Sequence, residues 1–392
     1  MPERQLGPLI VPFRQPFIDF AHGFDIKASI SWSAPEPVDK SALTVGGKII
    51  EGWDSVRVTR GIERFPSDFD LGLMDYFPGS DNKQLVEEGM PCTVTIGDDL
   101  AVTGYVDDWE PAISRSRHEV RATGRSKCQD LVDCSAEWPN NAINESNALE
   151  IASRLASYYG ISVSTDVSDL VKTPQFTLNW GESPQEVIER VARWSALLYY
   201  DQPDGNLLLT RVGIRRAASG IAEGLNVEQA YYRTSMAERF SDYVGVSMGI
   251  SSIAGYAPDT AYDAVTLATA RDPEAARMRY RKHISIVEST LMASKQAQSA
   301  IDWEMNRRYG RSKQLSVTID SWRDKDGKLW EPNTLLPVNL PTLRLPDTEM
   351  LLSEVTYMRD DNGTHARLTL MPPEAFTVQS YAFYQQLAGF NT

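Results

Sequence analysis

The 392-residue sequence is poor in the residues that build disulfide frameworks and metal centres. It has three cysteines, which cannot all pair within the chain, and it has no CxxC pair. Its four histidines are scattered, and no two of them show the i, i+4 spacing of a metal site on a helix. These residues are Cys92, Cys128 and Cys134, and His22, His118, His283 and His365. We therefore expect no metal ligands, no cofactor and a reducing place of synthesis.

Basic residues are also scarce relative to acidic ones. The chain has 39 Lys and Arg against 53 Asp and Glu, which gives a formal net charge of -14 at pH 7. Such a charge repels nucleic-acid phosphates and anionic lipids, so we expect no specific nucleic-acid binding. No stretch approaches 18 apolar residues, and the sequence from Met1 to Pro8 lacks the pattern of a signal peptide. We expect neither membrane insertion nor secretion through a signal peptide.

One catalytic motif is present, a GxSxG at Gly245–Gly249 centred on Ser247. A serine of this kind acts as a nucleophile when a helix follows it directly. The residues after Gly249 show no amphipathic helical pattern, so we interpret the motif as the end of a strand and Ser247 as unreactive. Neither a GxGxxG after a strand nor a GxxxxGK[ST] occurs. The sequence thus predicts no catalytic and no cofactor-binding residues, and no enzyme.

The run from Trp322 to Gly327 has a weak likeness to a calcium-binding loop. Asp324, Asp326 and Gly327 could take its third, fifth and sixth positions. The first position would be Trp322 and the twelfth Asn333, and neither side chain supplies the carboxylate that such a loop requires. The pattern favours a polar hairpin turn over a metal site.

Composition and hydrophobic period divide the chain into five segments. Short alternating runs separated by glycine turns predict two regions of antiparallel strands, barrels or sandwiches, and a compact α+β module between them. The proline- and aromatic-rich N-terminal arm either docks on something or is a flexible leader. The segments are an arm at 1–40, a first β-barrel at 41–127, the module at 128–212, a second β-barrel at 213–376 and a tail at 377–392.

Local signals place several helices. Asn144 or Ser146 would cap a helix that ends near Gly160. Ser183–Glu186 is a capping box with proline at the first helical position. The second β region carries two helix candidates, Pro273 to about His283 and Leu291 to Tyr309 with Gly310 as its end. These two make a helical insertion in the second barrel.

The two β regions end alike. A strand at Val94, the run Thr103–Val106, a polar hairpin and Glu119–Ala122 are followed, later in the chain, by a similar series. That second series consists of a strand at Val338, Ser353–Val355, a hairpin at Asp361–Gly363 and Ala366–Thr369. The similarity suggests a duplicated barrel, although generic hairpin sequences would also produce it.

Several stretches, in this order, resemble the baseplate hub protein of Mu-like contractile-tailed phages. They are Val45–Lys48, Gly52–Arg64, Ile96–Asp98, Thr103–Val106, Gly124–Ala136 and Asp204–Arg211. The resemblance spans about residues 43–376, and the arm has no counterpart in it. It identifies the α+β module with the family's LysM-like insert, a fold that elsewhere binds peptidoglycan.

The resemblance implies a virion component assembled in the bacterial host cytoplasm. It implies a homotrimer in which two similar barrels per chain form a pseudo-sixfold ring around the genome ejection channel. The implied partners are the tail spike, the tail tube and tape-measure-side proteins, and the baseplate wedge. Two alternatives stay open at this point: a peptidoglycan-binding or degrading tail component, and the hub of a phage-derived bacteriocin or secretion machine.

Overall fold

The computed structural model describes residues 39–74, 86–115, 118–170, 172–173, 176–248, 264–286, 294–361 and 363–378. The predicted arm, apart from its last two residues, and the tail from residue 379 lie outside this part, as do residues 249–263, which begin at the last glycine of the GxSxG motif. No helix in the described ranges is long and apolar enough to cross a membrane.

In the described residues of the first β region there are seven strands, and each ladder between them is antiparallel. Alternating burial along β5 and along β6 from Val102 to Val106 shows why these sequences form strands, since every second side chain enters the core. The strands are β1 Ser41–Val45, β2 Lys48–Glu51, β3 Ser55–Gly61, β4 Asp68–Met74, β5 Pro91–Ile96, β6 Asp99–Ile113 and β7 His118–Ser126.

The module that follows has its own hydrophobic core, formed mainly by its second and third helices and its last strands. Three of its strands form one small sheet, in the order β11, β12, β9. Its elements are α1 Gln129–Asp133, β8 Ala142–Ile143, α2 Ala148–Ser157, β9 Val163–Thr165, β10 Phe176–Thr177, α3 Pro184–Ala192, β11 Leu198–Asp201 and β12 Leu207–Thr210.

The capping box of α3 is confirmed. Ser183 Oγ accepts from Glu186 N at 3.2 Å, and Glu186 Oε2 accepts from Ser183 N at 2.9 Å. The predicted cap of α2 at Asn144 or Ser146 is wrong, because Asn147 forms the capping box with Glu150. The carbonyl of Ser146 instead accepts hydrogen bonds from Thr173, which ties it to another segment.

The described residues of the second β region form nine strands and two helices. In the sequence between β14 and β18, a three-stranded sheet in the order β16, β15, β17 packs against α5, so this segment contains strands as well as the predicted helices. The elements are β13 Ile221–Ala222, β14 Val227–Thr234, β15 Asp242–Met248, β16 Ala264–Arg271, α4 Pro273–Met278, β17 Lys282–Ile286, α5 Ser294–Arg311, β18 Lys313–Ile319, β19 Thr334–Leu340, β20 Leu345–Asp360 and β21 Gly363–Met371.

Both predicted helix ends in this region are wrong. Helix α4 stops at Met278 and not near His283, because His283 lies in β17, which pairs in parallel with β15. Gly310 does not end α5, which continues to Arg311. A Cβ atom at Gly310 would lie 2.3 Å from the backbone nitrogen of Ala375, so the glycine is required for close packing.

The fold is mainly β with large antiparallel sheets, as predicted. Within the described ranges the two β regions share one 13-stranded sheet, because β3 of the first pairs with β20 of the second. One hydrophobic core contains residues of both regions, from Leu43 to Leu370. Closure of each region into a barrel stays a prediction.

Candidate assembly surface

The residues that could carry chemistry lie apart from one another. His283 Nε2 lies 3.0 Å from Glu304 Oε1 in the insertion, and His365 Nδ1 lies 2.6 Å from Glu228 Oε2 on the main sheet. Ser247 lies in β15, and His22 is outside the described ranges. In the part of the chain that the structure describes, no three His, Cys, Asp or Glu side chains are grouped to hold a metal ion.

The segment that begins at Asp324 forms a turn, and the Asp324 carboxylate accepts hydrogen bonds from the backbone of this turn. Asp324 Oδ1 accepts from the N–H of Asp326 at 2.9 Å and from that of Lys328 at 3.0 Å. Gly327 has a positive φ of 78°. This is the hydrogen bonding of an Asx-type turn, as the sequence indicates.

Two of the thiols are held in the neutral form. Cys92 and Cys128 are buried, and burial raises the pKa of Cys92 to about 12 and that of Cys128 well above its usual value. A neutral thiol is a poor nucleophile and a poor metal ligand. These side chains therefore serve packing.

Topology, in contrast, reveals a regular arrangement. In the first region five strands lie side by side in the order β5, β6, β7, β4, β3. In the second region five strands lie in the order β19, β20, β21, β18, β14. The chain visits the members of each set in the same sequence, and all ladders are antiparallel. Each β region thus contains the same five-stranded unit.

A shared irregularity fixes the correspondence residue by residue. The β6–β7 ladder has a β-bulge between Val106 and Asp108, and the β20–β21 ladder has one between Leu352 and Glu354. Asp108 then pairs with Thr123, and Glu354 pairs with Thr369. When β6 and β20 are aligned at their bulges, Asp108 corresponds to Glu354 and Ile113 corresponds to Arg359. Bulges are specific features that fix strand register.

The two units meet within the chain where β3 pairs with β20. The register runs from Gly61 opposite Glu354 to Val56 opposite Arg359. At its centre the hydroxyls of Thr59 and Thr356 are 3.4 Å apart, and Val58 and Tyr357 are completely buried. This junction places two copies of the unit side by side.

Family comparisons match three parts of the sequence. Residues 40–126 match the Mu phage baseplate assembly protein GpP-like N-terminal family, and residues 128–211 match the second domain of the baseplate hub protein gp44-like family. Residues 293–379 match the fourth domain of the Mu phage baseplate assembly protein GpP. The baseplate hub protein gp44 of Escherichia phage Mu is 31% identical over 344 residues, which cover 86% of this chain and 88% of that protein.

The chain belongs to the baseplate hub family of Mu-like phages. Among solved structures, the 43 kDa tail protein of prophage MuSo2 from Shewanella oneidensis is 32% identical with a TM-score of 0.76. That comparison covers 86% of this chain and 99% of the tail protein. A tail protein of Neisseria meningitidis MC58, 19% identical over 87% of this chain and 99% of its own, shares the fold with a TM-score of 0.70.

In this hub chain a buried carboxylate fastens the α+β module to the first β region. Asp201 lies at the end of β11, and its Oδ1 accepts from Ser67 N and Ser67 Oγ, each at 3.1 Å. Burial raises the pKa of Asp201, although hydrogen bonds from Ser126 and Ser67 and the charge of Arg60 oppose the rise. Ionised Asp201 is therefore less stable in the folded hub than in the unfolded chain.

We expect an Asp201→Asn variant to change how stability depends on pH. Because the folded pKa is raised, the stabilising effect of Asp201 is fully present below the unfolded value near about 3.9 and is lost as the pH rises through the folded value. The melting temperature of the unmodified hub relative to the variant should therefore fall from pH 4 toward neutrality. Differential scanning calorimetry at several pH values measures it. A difference that is constant or that grows with pH would contradict this account.

Proposed function

We propose that three copies of this chain form the closed hub of a contractile phage baseplate. The hub joins the sixfold tail tube to the trimeric membrane-piercing spike and surrounds the genome ejection channel. The observation that carries the proposal is the five-stranded unit present twice in each chain, since three chains then supply six similar units. The membership of this chain in the hub family supports a role in the baseplate.

The proposed domains follow from the same observation. Residues 41–127 and 213–376 form the two similar barrels of the ring, and residues 128–212 form the LysM-like module outside it. The tape-measure-side proteins and the baseplate wedge would bind the segments outside the barrels. These segments are the arm at 1–40, the tail at 377–392 and the module. The role is structural and not enzymatic, in line with hub relatives.

A phage with a nonsense codon in this gene tests the proposal. Without a hub the tube and sheath have no baseplate on which to polymerise, so lysates should contain filled heads and no complete tails. Negative-stain electron microscopy distinguishes this from normal virions. Supplying the protein in trans should restore tails that contain it, as mass spectrometry of purified virions would show. Complete tails in the mutant lysate would contradict the function.

The net charge of -14 leads to a prediction for the channel. A positively charged wall would hold the genome by releasing counterions, whereas an acidic or neutral wall does not. We propose that residues facing the trimer axis are net acidic or neutral. At about 0.15 M salt the field extends only about 8 Å, so the lining acts as a non-stick surface. Fluorescence anisotropy with double-stranded DNA should therefore detect no binding at this salt concentration, and measurable affinity would contradict the prediction.

A further inference from the structure

The outer edge of β14 has no strand partner within the described ranges. β14 pairs with β18 alone, and Ser235 N–H donates to Ser312 O at 2.9 Å on that side. Backbone groups of successive residues face opposite edges of a strand. The groups that face outward therefore belong to Ala230, Tyr232 and Thr234. On this strand the side chain of Arg233 is exposed and that of Tyr231 is 65% exposed. Such exposure is unusual for an aromatic side chain as large as that of tyrosine.

The second half of β6 has a similar open edge. β6 pairs with β5 only from Asp99 to Tyr105, whereas it pairs with β7 from Gly104 to Ile113. From Asp108 onward, one side of β6 therefore faces no other described strand. Ile113, at the end of this edge, is 84% exposed. In the second unit the corresponding edge of β20 is occupied by β3.

We propose that β14 of one hub chain pairs antiparallel with the second half of β6 of a neighbouring copy. β14 holds the place in its unit that β3 holds in the first, and β6 holds the place of β20. The chain already joins its two units by pairing β3 with β20, so the same ladder between chains continues the sheet without a break. One type of contact then recurs at each boundary between units around the ring.

The internal register specifies the contact between chains. Glu110 corresponds to Thr356 and Arg233 corresponds to Thr59 when the two units are aligned through their bulges and ladders. Because Thr356 lies opposite Thr59 within the chain, the same register places Glu110 opposite Arg233 of the neighbour. It sets Ala112 opposite Tyr231 and Ile113 opposite Ala230. Opposite charges across an antiparallel pair are stabilising, and each exposed large side chain meets a small one.

Pro111 lies in the middle of this edge, opposite Tyr232 of the neighbour. It has no N–H to donate, so the ladder has one hydrogen bond fewer than that between β3 and β20. Proline is accepted at sheet edges. It also weakens pairing with unrelated strands, which protects the open edge before assembly.

The contact is heterologous, because each copy contributes two different edges. Such contacts close into a ring or extend into a filament. The inference rests on the proposed trimer for the number of copies, since three chains close the ring. Its own claim is which edges meet and in which register.

Disulfide trapping tests the register on the full-length chain. Glu110 and Arg233 would be a non-hydrogen-bonded pair, with Cα atoms about 4.5 Å apart, which suits a disulfide. After mild oxidation the Glu110→Cys/Arg233→Cys protein should run as covalent dimers and trimers on a non-reducing gel. Because Cys134 is the one native thiol that is not buried, the unmodified protein is oxidised in parallel and should remain unlinked.

A control pair, Glu110→Cys/Thr234→Cys, differs by one residue of register. The Thr234 side chain points to the opposite face of the sheet, so linking should fall at least about tenfold. Each single cysteine variant should stay unlinked, because the two edges differ. A trimer by light scattering that the Glu110/Arg233 pair fails to link would overturn the inference and leave the proposed function intact. An unmodified protein that is monomeric at every concentration would overturn both.

Discussion

Replacing Ala230 by proline should separate the proposed hub trimer into single folded chains. The N–H of Ala230 faces the open edge of β14, so proline removes no hydrogen bond to β18 inside the chain. In the assembly, the ring of proline would project toward Ile113 of the neighbour and remove a ladder hydrogen bond. We expect the trimer dissociation constant to rise about a hundredfold or more, because a strand ladder tolerates neither change well.

Sedimentation velocity across a dilution series measures the effect, and circular dichroism checks that the chain remains folded. Ala230→Val is the matched control, since valine keeps the N–H and favours strands. It should leave the trimer intact. An Ala230→Pro protein that forms trimers as tightly as its parent would show that β14 does not contact another chain.

The second large effect concerns the attachment of the insertion. Arg239 is almost completely buried, and its guanidinium donates to both oxygens of Asp272, at 2.9 and 3.0 Å. Asp272 in turn caps α4 by accepting from Glu274 N and Ala275 N. Arg239→Met leaves a buried carboxylate without its counter-charge, which costs about 3–5 kcal/mol.

Hydrogen exchange measures this cost locally, at the amides of α4 and β15. About 3–5 kcal/mol corresponds to exchange faster by roughly a hundredfold to several thousandfold. The double variant Arg239→Met/Asp272→Asn keeps the cap and removes the buried charge, so it should recover much of the loss. A single variant that exchanges within about fivefold of the parent would contradict the role given to this pair.

Signals local in the sequence predicted their structures well. The capping box at Ser183 involves residues three apart, and it formed as expected. The start of α4 at Pro273 and the strands at Val94 and Val338, which are β5 and β19, were also predicted, because proline in a first helical turn and alternating apolar residues are local signals. Predicted helix ends were wrong where a glycine serves contact with a residue distant in the sequence, as Gly310 does with Ala375.

The open strand edges of the candidate surface, on β14 and on the second half of β6, were not predicted from the sequence. β14 is exposed at most positions, so it lacks the alternation that marks a half-buried strand. The second half of β6 is mostly exposed and contains Pro111, which argues against a strand. The junction of β3 with β20 joins residues such as Thr59 and Thr356, which are 297 positions apart. No local pattern reports such a pairing, whereas the repeated order of similar runs did indicate the duplication.

A cryo-electron microscopy average of the purified full-length protein tests the central claim most directly. We predict a closed ring of three chains in which six five-stranded units surround a channel. Continuous β-sheet density should run from β14 of each chain to β6 of the next. A particle of one chain of 43.8 kDa, or a ring whose chains meet without joining these two strands, would contradict the account.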